Sequence, residues 1–176
     1  GVRLEGSNIP PRVTRFYEEL RRTTQRTTET AVAMSLPDVI PSEVPGRIHR
    51  AATARGITFA AAQGTFNMSH PDPERRRTGL RQLRVLAEAC PQMGASIIHL
   101  CTGTRDRASM WRRHPDNDTP AAWQDMTACM REACDIARQA RVVLAFEPEI
   151  NNVVSSAQKA RRLLDEIGSP FLKVTI

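Results

Sequence analysis

The chain has 176 residues, within the range of one domain and long enough to bury a single sizeable core. With 40% apolar and 25% charged residues it reads as a folded chain rather than a disordered one. No stretch approaches the roughly eighteen consecutive apolar residues that a membrane span needs, and the first residues carry no signal-peptide core.

An excess of 25 cations over 19 anions gives a formal charge of +6, which raises nucleic acid as a partner. All of those cations except Lys159 and Lys173 are arginines, the mark of a coding bias more than of a built patch. The densest run, Arg75-Arg76-Arg77 with Arg81 and Arg84, lies beside Leu80, Leu83 and Leu86 on a helical pattern and reads as a solvated helix face. Cys90, Cys101, Cys129 and Cys134 form no CxxC pair and no zinc-finger spacing, so they read as small buried apolar residues of a reduced, cytoplasmic protein. Gly1 stands where Met is usual, which suggests a chain cut from a longer one.

Taken in order, Val2 to Glu5 reads as an opening strand and Arg12 to Arg22 as a helix, with Phe16 and Leu20 on one face. The stretch 23–28 is a poor helix former and reads as a connection. Ala31 to Leu36 is a weak apolar run, Pro37, Pro41 and Pro45 break up the next stretch, and a helix is expected over 47–55. Four clearer apolar runs come next: Ile57–Ala62, Ser96–Cys101, Val142–Phe146 and Leu172–Ile176. Each is near-continuous rather than alternating, which suits strands of a parallel sheet covered on both faces.

Helices are expected between these runs. One runs from Pro73 to about Cys90, with Leu80, Leu83, Leu86, Ala87 and Cys90 forming an apolar face. Another opens at Thr119-Pro120, a cap followed by a proline where its missing N–H costs nothing, and carries Trp123, Met126, Met130, Ala133 and Ala137 on one stripe. A last one starts at Ser155 or Ser156 and stops at Gly168. Strand and helix alternating at this spacing define βαβ units, with at most six strands in all. An open doubly wound sheet and part of an eight-stranded (β/α)8 barrel both fit this count.

In either architecture ligands bind at the carboxyl ends of the strands. The segments just after the runs, 63–71, 102–106 and 147–152, are rich in polar side chains, whereas the opposite strand ends are plain Gly, Ala and Arg junctions. Glu147 ends the run VVLAF, where a carboxylate can bind a divalent cation or move a proton, or serve as an ordinary ion-pair partner. Glu149 shares its direction only if the strand continues through Pro148. His70 is either a ligand or acid–base group, or the cap of the Pro71-Asp72-Pro73 turn. His99, inside an apolar run, reads as a structural histidine, and His49 and His114 as solvent-facing. GxGxxG, GxxxxGK[ST] and GxSxG are all missing from the sequence, which removes the common nucleotide-cradling and serine-hydrolase readings.

Three segments in order, GTFNMSHPDPERRRTGLRQL, HLCTGTRD with WRRHPDNDTPAAW, and LAFEPEINNVVSSAQKARRLLDEIGSPFLKV, resemble the sugar phosphate isomerase/epimerase family of xylose-isomerase-like TIM barrels. The resemblance covers about residues 55–176, fits 31–50 loosely and 1–30 hardly at all. It implies an α/β fold, a partial (β/α)8 barrel of the first five to six βα units forming one incomplete domain. It also implies a divalent metal (Mn, Mg, Co or Zn) in the full-length form, held by a Glu after the fifth strand, an Asp after the sixth, a His after the seventh and a Glu after the eighth. Glu147 matches the first of these and is expected to be both metal ligand and proton-transfer group. The chain stops where the Asp should come.

Asn67, His70, Thr102 and Arg105 are expected to line the substrate cavity, Arg105 being suited to a carboxylate or phosphate. The partner implied is a small-molecule sugar or sugar phosphate, with neither nucleic acid nor membrane. The alternatives are a phosphodiesterase resembling endonuclease IV, or a non-catalytic remnant or small-molecule-binding domain. As given, the chain is expected to be inactive and poorly stable, and to self-associate through an open barrel edge.

Overall fold

The structure, a computed structural model, describes residues 36–175. The expected strand Val2–Glu5, the helix over 12–22, the connection 23–28 and the run 31–36 up to residue 35 lie outside those residues, as does Ile176.

Helix α1 spans Glu43–Thr53, opening four residues before the expected 47. Pro45 falls in its first turn, where the N–H groups lack helical partners in any case, so the ring disrupts nothing. Strand β1 is Ala62–Gln63. Helix α2, Pro73–Met93, starts at an Asp72 cap whose carboxylate accepts from Glu74 N and has Pro at the first position. It runs past the expected Cys90 and through Pro91, because the stop signal is Gly94. That residue takes φ +81° and closes the turn through Gly94 N to Pro91 O and Ala95 N to Cys90 O.

Strand β2 is Ile97–Cys101. A short 3-10 turn, Pro115–Asp118, leads into α3, Pro120–Ala140, where Thr119 Oγ1 accepts from Ala122 N. Strand β3 is Val143–Glu147, helix α4 is Ala157–Ile167 with a Ser156 cap, and strand β4 is Leu172–Val174. No helix among the described residues is long and apolar enough to cross a membrane.

The four strands form one parallel sheet in the order β1-β2-β3-β4, the sequential arrangement of a barrel wall with helices packed along one side. The run Ile57–Ala62 joins this ladder only at its last residue. The pairing register sets Ala62 beside Ile98 and β2 itself begins at Ile97, so residues 57–60 precede the point where β2 offers a partner.

Strand side chains alternate between two environments. Ile98, Leu100, Leu144, Phe146 and Leu172 join Leu83, Met126, Met130 and Leu163 of the helices in one buried core. The other face carries Ile97, His99, Cys101, Val143, Ala145, Glu147 and Lys173, several of them half-buried or exposed. All four cysteines are free and buried. Burial pushes the Cys90 thiol up to about 11 and those of Cys101 and Cys129 up to about 12, so they behave as apolar filling.

The arginine run is a solvated face only in part. Arg77 pairs with Glu74 on the same helix, but Arg76 turns inward, bonding Asp125 of α3 at 3.1 Å and His70 O.

Candidate active site

The parallel register aligns Gln63, His99, Ala145 and Lys173 in one row across the barrel-facing side, with Cys101 and Glu147 in the next row toward the carboxyl ends. Glu147 is the last residue of β3 and its side chain keeps 45% of its surface. Its Oε2 lies 3.3 Å from His99 Nε2, a diagonal cross-strand contact within reach of long side chains. His99 Nδ1 lies 3.2 Å from Gln63 Oε1, and Gln63 Nε2 donates to Thr65 Oγ1 at 2.5 Å. His99, expected to be a structural histidine, thus stands between Gln63 and the carboxylate at the strand mouth. Glu149 lies beyond the end of β3, in a turn where its N–H bonds Val154 O and its carbonyl accepts from Asn152 N.

The sequence-named cavity residues are each engaged within the protein. Asn67 Oδ1 accepts from Thr104 N at 3.0 Å and Ser69 N at 3.2 Å. His70 Nδ1 accepts from Asp72 N at 3.0 Å, so it caps the Pro71-Asp72-Pro73 turn, the second of its two open readings. Thr102 is fully buried; its Oγ1 accepts from Val154 N and its carbonyl from Ser69 Oγ. Arg105, 15% exposed, donates through Nη1 to Asp125 Oδ2 at 2.7 Å and to Ser69 O at 3.2 Å. Asp125 also holds Arg76, and one carboxylate ties α2 and the loop after β2 to α3.

The turn after β2 is held by three asparagine side chains. Gly103 N donates to Asn152 Oδ1 at 2.6 Å, Thr104 N to Asn67 Oδ1, and Arg105 N to Asn117 Oδ1 at 2.8 Å. Successive backbone amides of this sort can cradle a phosphate, but here each is already occupied. Gly103 has φ +72°, and a Cβ there would overlap Asn67 Oδ1. Asn117 and Asn152 carry no spacing signal, since each bonds a partner distant in the chain. His114, expected to face solvent, caps the 3-10 turn by accepting from Asp116 N.

A cavity of about 510 Å³ opens beside this constellation, lined by Gln63, Thr65, Met110 and Trp111 together with Leu36 and Pro37. Gln63 and Thr65 belong both to the cavity wall and to the hydrogen-bonded chain that reaches Glu147. Trp111 is 40% exposed and gives the cavity wall an amphipathic ring. A second groove, of about 490 Å³, lies on the outer surface between α2 and α3, among Arg81, Arg84, Glu132 and Asp135, away from the strand mouths.

Parallel strands in sequential order, outer helices and polar groups gathered at the strand mouths define a β/α-barrel wall of the type that carries its site at the carboxyl end. Residues 24–176 match the family described as xylose isomerase-like TIM barrel, and the chain belongs to that family. No curated protein matches it.

Among solved structures it is similar to the apo form of a 3-keto-D-glucoside 4-epimerase from E. coli, with 19% identity, TM-score 0.61, and coverage of 77% of this chain and 56% of that one. It is similar to a D-psicose 3-epimerase with D-tagatose from Clostridium cellulolyticum H10, with 20% identity, TM-score 0.61, and coverage of 76% and 48%. It also resembles a xylose isomerase-like TIM barrel protein from Mycobacterium smegmatis in complex with magnesium, with 15% identity, TM-score 0.58, and coverage of 78% and 47%. The chain therefore spans about half the length of the structures it resembles, and the wall it forms is part of a barrel.

Proposed function

We propose that this chain carries part of the active site of a sugar isomerase or epimerase, with Glu147 as the carboxylate that moves a proton next to a carbonyl. The observation that carries this reading is the placement of Glu147. It is a half-exposed carboxylate at the mouth of a parallel strand, linked through His99 to Gln63 of the cavity wall, with His99 as its one hydrogen-bond-range neighbour among the described residues. Asp106, Asp118, Asp125, Asp135, Asp165 and Glu166 all pair with arginine or lysine. Among the described residues Glu147 pairs with neither, and unlike Glu43, Glu88, Glu132 and Glu149, which also lack such a partner, it ends a strand of the sheet. The epimerases among the similar structures support the same class of chemistry.

In this reading the C–H bond next to the sugar carbonyl breaks, its proton passes to Glu147, and the electron pair moves into an enediolate. Return of the proton to the former carbonyl carbon, with the hydroxyl proton passing from the neighbouring oxygen to the former carbonyl oxygen, gives isomerisation. Inversion of a centre requires a second acid on the opposite face of the substrate. Asn67, His70, Thr102 and Arg105 shape the mouth by fixing the loops that surround it, and Trp111 and Met110 supply its apolar wall.

A divalent cation would find two neighbouring donors here, Glu147 and His99. Among the described residues no group of three or more His, Cys, Asp or Glu side chains is placed to hold one. These residues do not make up a metal site, and the proton transfer proposed rests on the carboxylate.

The reading is preferred to an endonuclease-like phosphodiesterase because the consecutive amides at 103–105 are occupied and the inward arginines are paired. Incubating a full-length form of the protein in D2O with D-tagatose and related ketohexoses, and following deuterium entry beside the carbonyl by NMR, tests it. The expected result is exchange that disappears in Glu147→Gln. Exchange that persists in that variant assigns the proton transfer to another group.

A further inference from the structure

We infer that His99, oriented by Gln63, is a positioning residue that holds Oε2 of Glu147 and leaves Oε1 for the substrate; this rests on the reading of Glu147 as the reacting carboxylate. Oε2 of Glu147 lies 3.3 Å from His99 Nε2, while Oε1 has no hydrogen-bond partner among the described residues. The other ring nitrogen, Nδ1, lies 3.2 Å from Gln63 Oε1, and the Gln63 amide is fixed in turn by its bond to Thr65 Oγ1. Both imidazole nitrogens therefore face oxygen acceptors, which fixes the ring's plane and its rotation about Cβ–Cγ.

A flexible glutamate has three side-chain torsions to order before it can meet a substrate proton. Ordering them costs free energy that a preformed contact removes from the reaction step. The backbone supplies the geometry without further strain. His99 is paired in register with Ala145, whose small side chain sits between His99 and Lys173 in the cross-sheet row. Ala145 adds little bulk beneath Glu147, so the imidazole can reach diagonally up the sheet. Gln63, at the end of β1, is paired directly with His99 and also lines the cavity. Whatever occupies the cavity is therefore one hydrogen-bonded chain away from the carboxylate.

The test begins with the imidazole nitrogens of His99 in 15N-labelled protein, read by long-range proton–nitrogen NMR in the wild type, Glu147→Gln and Gln63→Leu. Glu147→Gln should shift the Nε2 resonance, and Gln63→Leu the Nδ1 resonance, with the melting curve of each variant unchanged. Nitrogen resonances that stay put in both variants would overturn the inference, whatever the activity. In the deuterium-exchange assay, His99→Ala should lower kcat by about 10–100-fold with little change in KM, the size of loss expected on removing a group that orients a reactive ligand. His99→Gln, whose amide can still donate to Oε2, should recover part of it.

Full exchange in His99→Ala together with none in Glu147→Gln would sink the positioning role and leave the carboxylate reading intact. Exchange retained in Glu147→Gln would sink the carboxylate reading, while the nitrogen shifts would still decide whether His99 and Glu147 are coupled.

Discussion

Toward the helices, β2 and β3 present Ile98, Leu100, Leu144 and Phe146, none of which keeps any exposed surface. Toward the barrel interior the same two strands present His99 and Glu147, whose side chains keep 24% and 45% of theirs. One backbone, read at a period of two residues, thus separates adhesion from chemistry. The apolar face holds the helices on. The polar face is spared the need to hold anything, and it can keep groups whose hydrogen-bonding capacity is incompletely used. The loops at the strand mouths form a third kind of region, as polar as the interior face but with their side-chain oxygens engaged internally, Asn152 Nδ2 alone among the described residues being buried without a partner. Asn67, Asn117, Asn152, Arg105 and Asp125 spend their side chains on backbone amides and on each other.

The sharpest way to break this division is on the helix-facing side. Phe146→Ala removes a fully buried ring from a core shared by β3 and the helices, and should cost about 3–5 kcal/mol. Urea unfolding is the measurement, and a loss under about 1 kcal/mol would mean that the core is not organised around this face.

Gly103→Ala probes these internally bonded loops. The residue holds φ +72°, and a Cβ would overlap Asn67 Oδ1, so about 1–3 kcal/mol should be lost to backbone strain, with more if the Asn67 bonds break. Thermal melting would show it, and a neutral outcome would show that the turn can rearrange around an added methyl.

Arg105→Ala sharpens the contrast between an internal strut and a substrate clamp. Loss of its bonds to Asp125 and Ser69 O should cost about 1–2 kcal/mol, the range for a charge-assisted bond that is only partly exposed. Asp125→Ala, which releases Arg76 as well, should cost more, and the double variant should fall short of the sum. A strictly additive pair would free Arg105 from the strut and return it to the cavity.

Much of this organisation can be read in the sequence because its signals are local. Thr119-Pro120, Ser156 and Gly168 mark helix ends through hydrogen bonds and φ values that involve residues at most four apart, and the runs at 97–101 and 143–147 form strands because most of their residues suit burial on both faces. Glu147 is legible as the polar residue that ends such a run. The limits appear where partners are remote. Arg105 and Asp125 are twenty residues apart, Asn152 and Gly103 forty-nine, and no spacing within a single segment announces either bond. His99 is the most telling case. Inside an apolar run it looks structural, and only the register that places it one row below Glu147 gives it a different role. A register belongs to a pair of strands, not to either one.

The smallest expected effect is the most informative about the interior face. Glu147→Gln preserves shape and leaves an amide oxygen able to accept from His99 Nε2, the residue's one contact in hydrogen-bond range. The side chain is nearly half exposed, and among the described residues it pairs with no arginine or lysine. Removing its charge therefore strands no buried partner, the condition under which charge deletions become costly. The change in unfolding free energy should stay within about 0.5 kcal/mol, as for substitutions away from packed or networked positions, while deuterium exchange into the sugar is lost. Stability measured by urea titration and exchange measured on the same preparations would separate the two. A loss of stability above about 1 kcal/mol with exchange intact would make Glu147 a strut like Arg105, and the division between the sheet's two faces would fail at the residue on which it most depends.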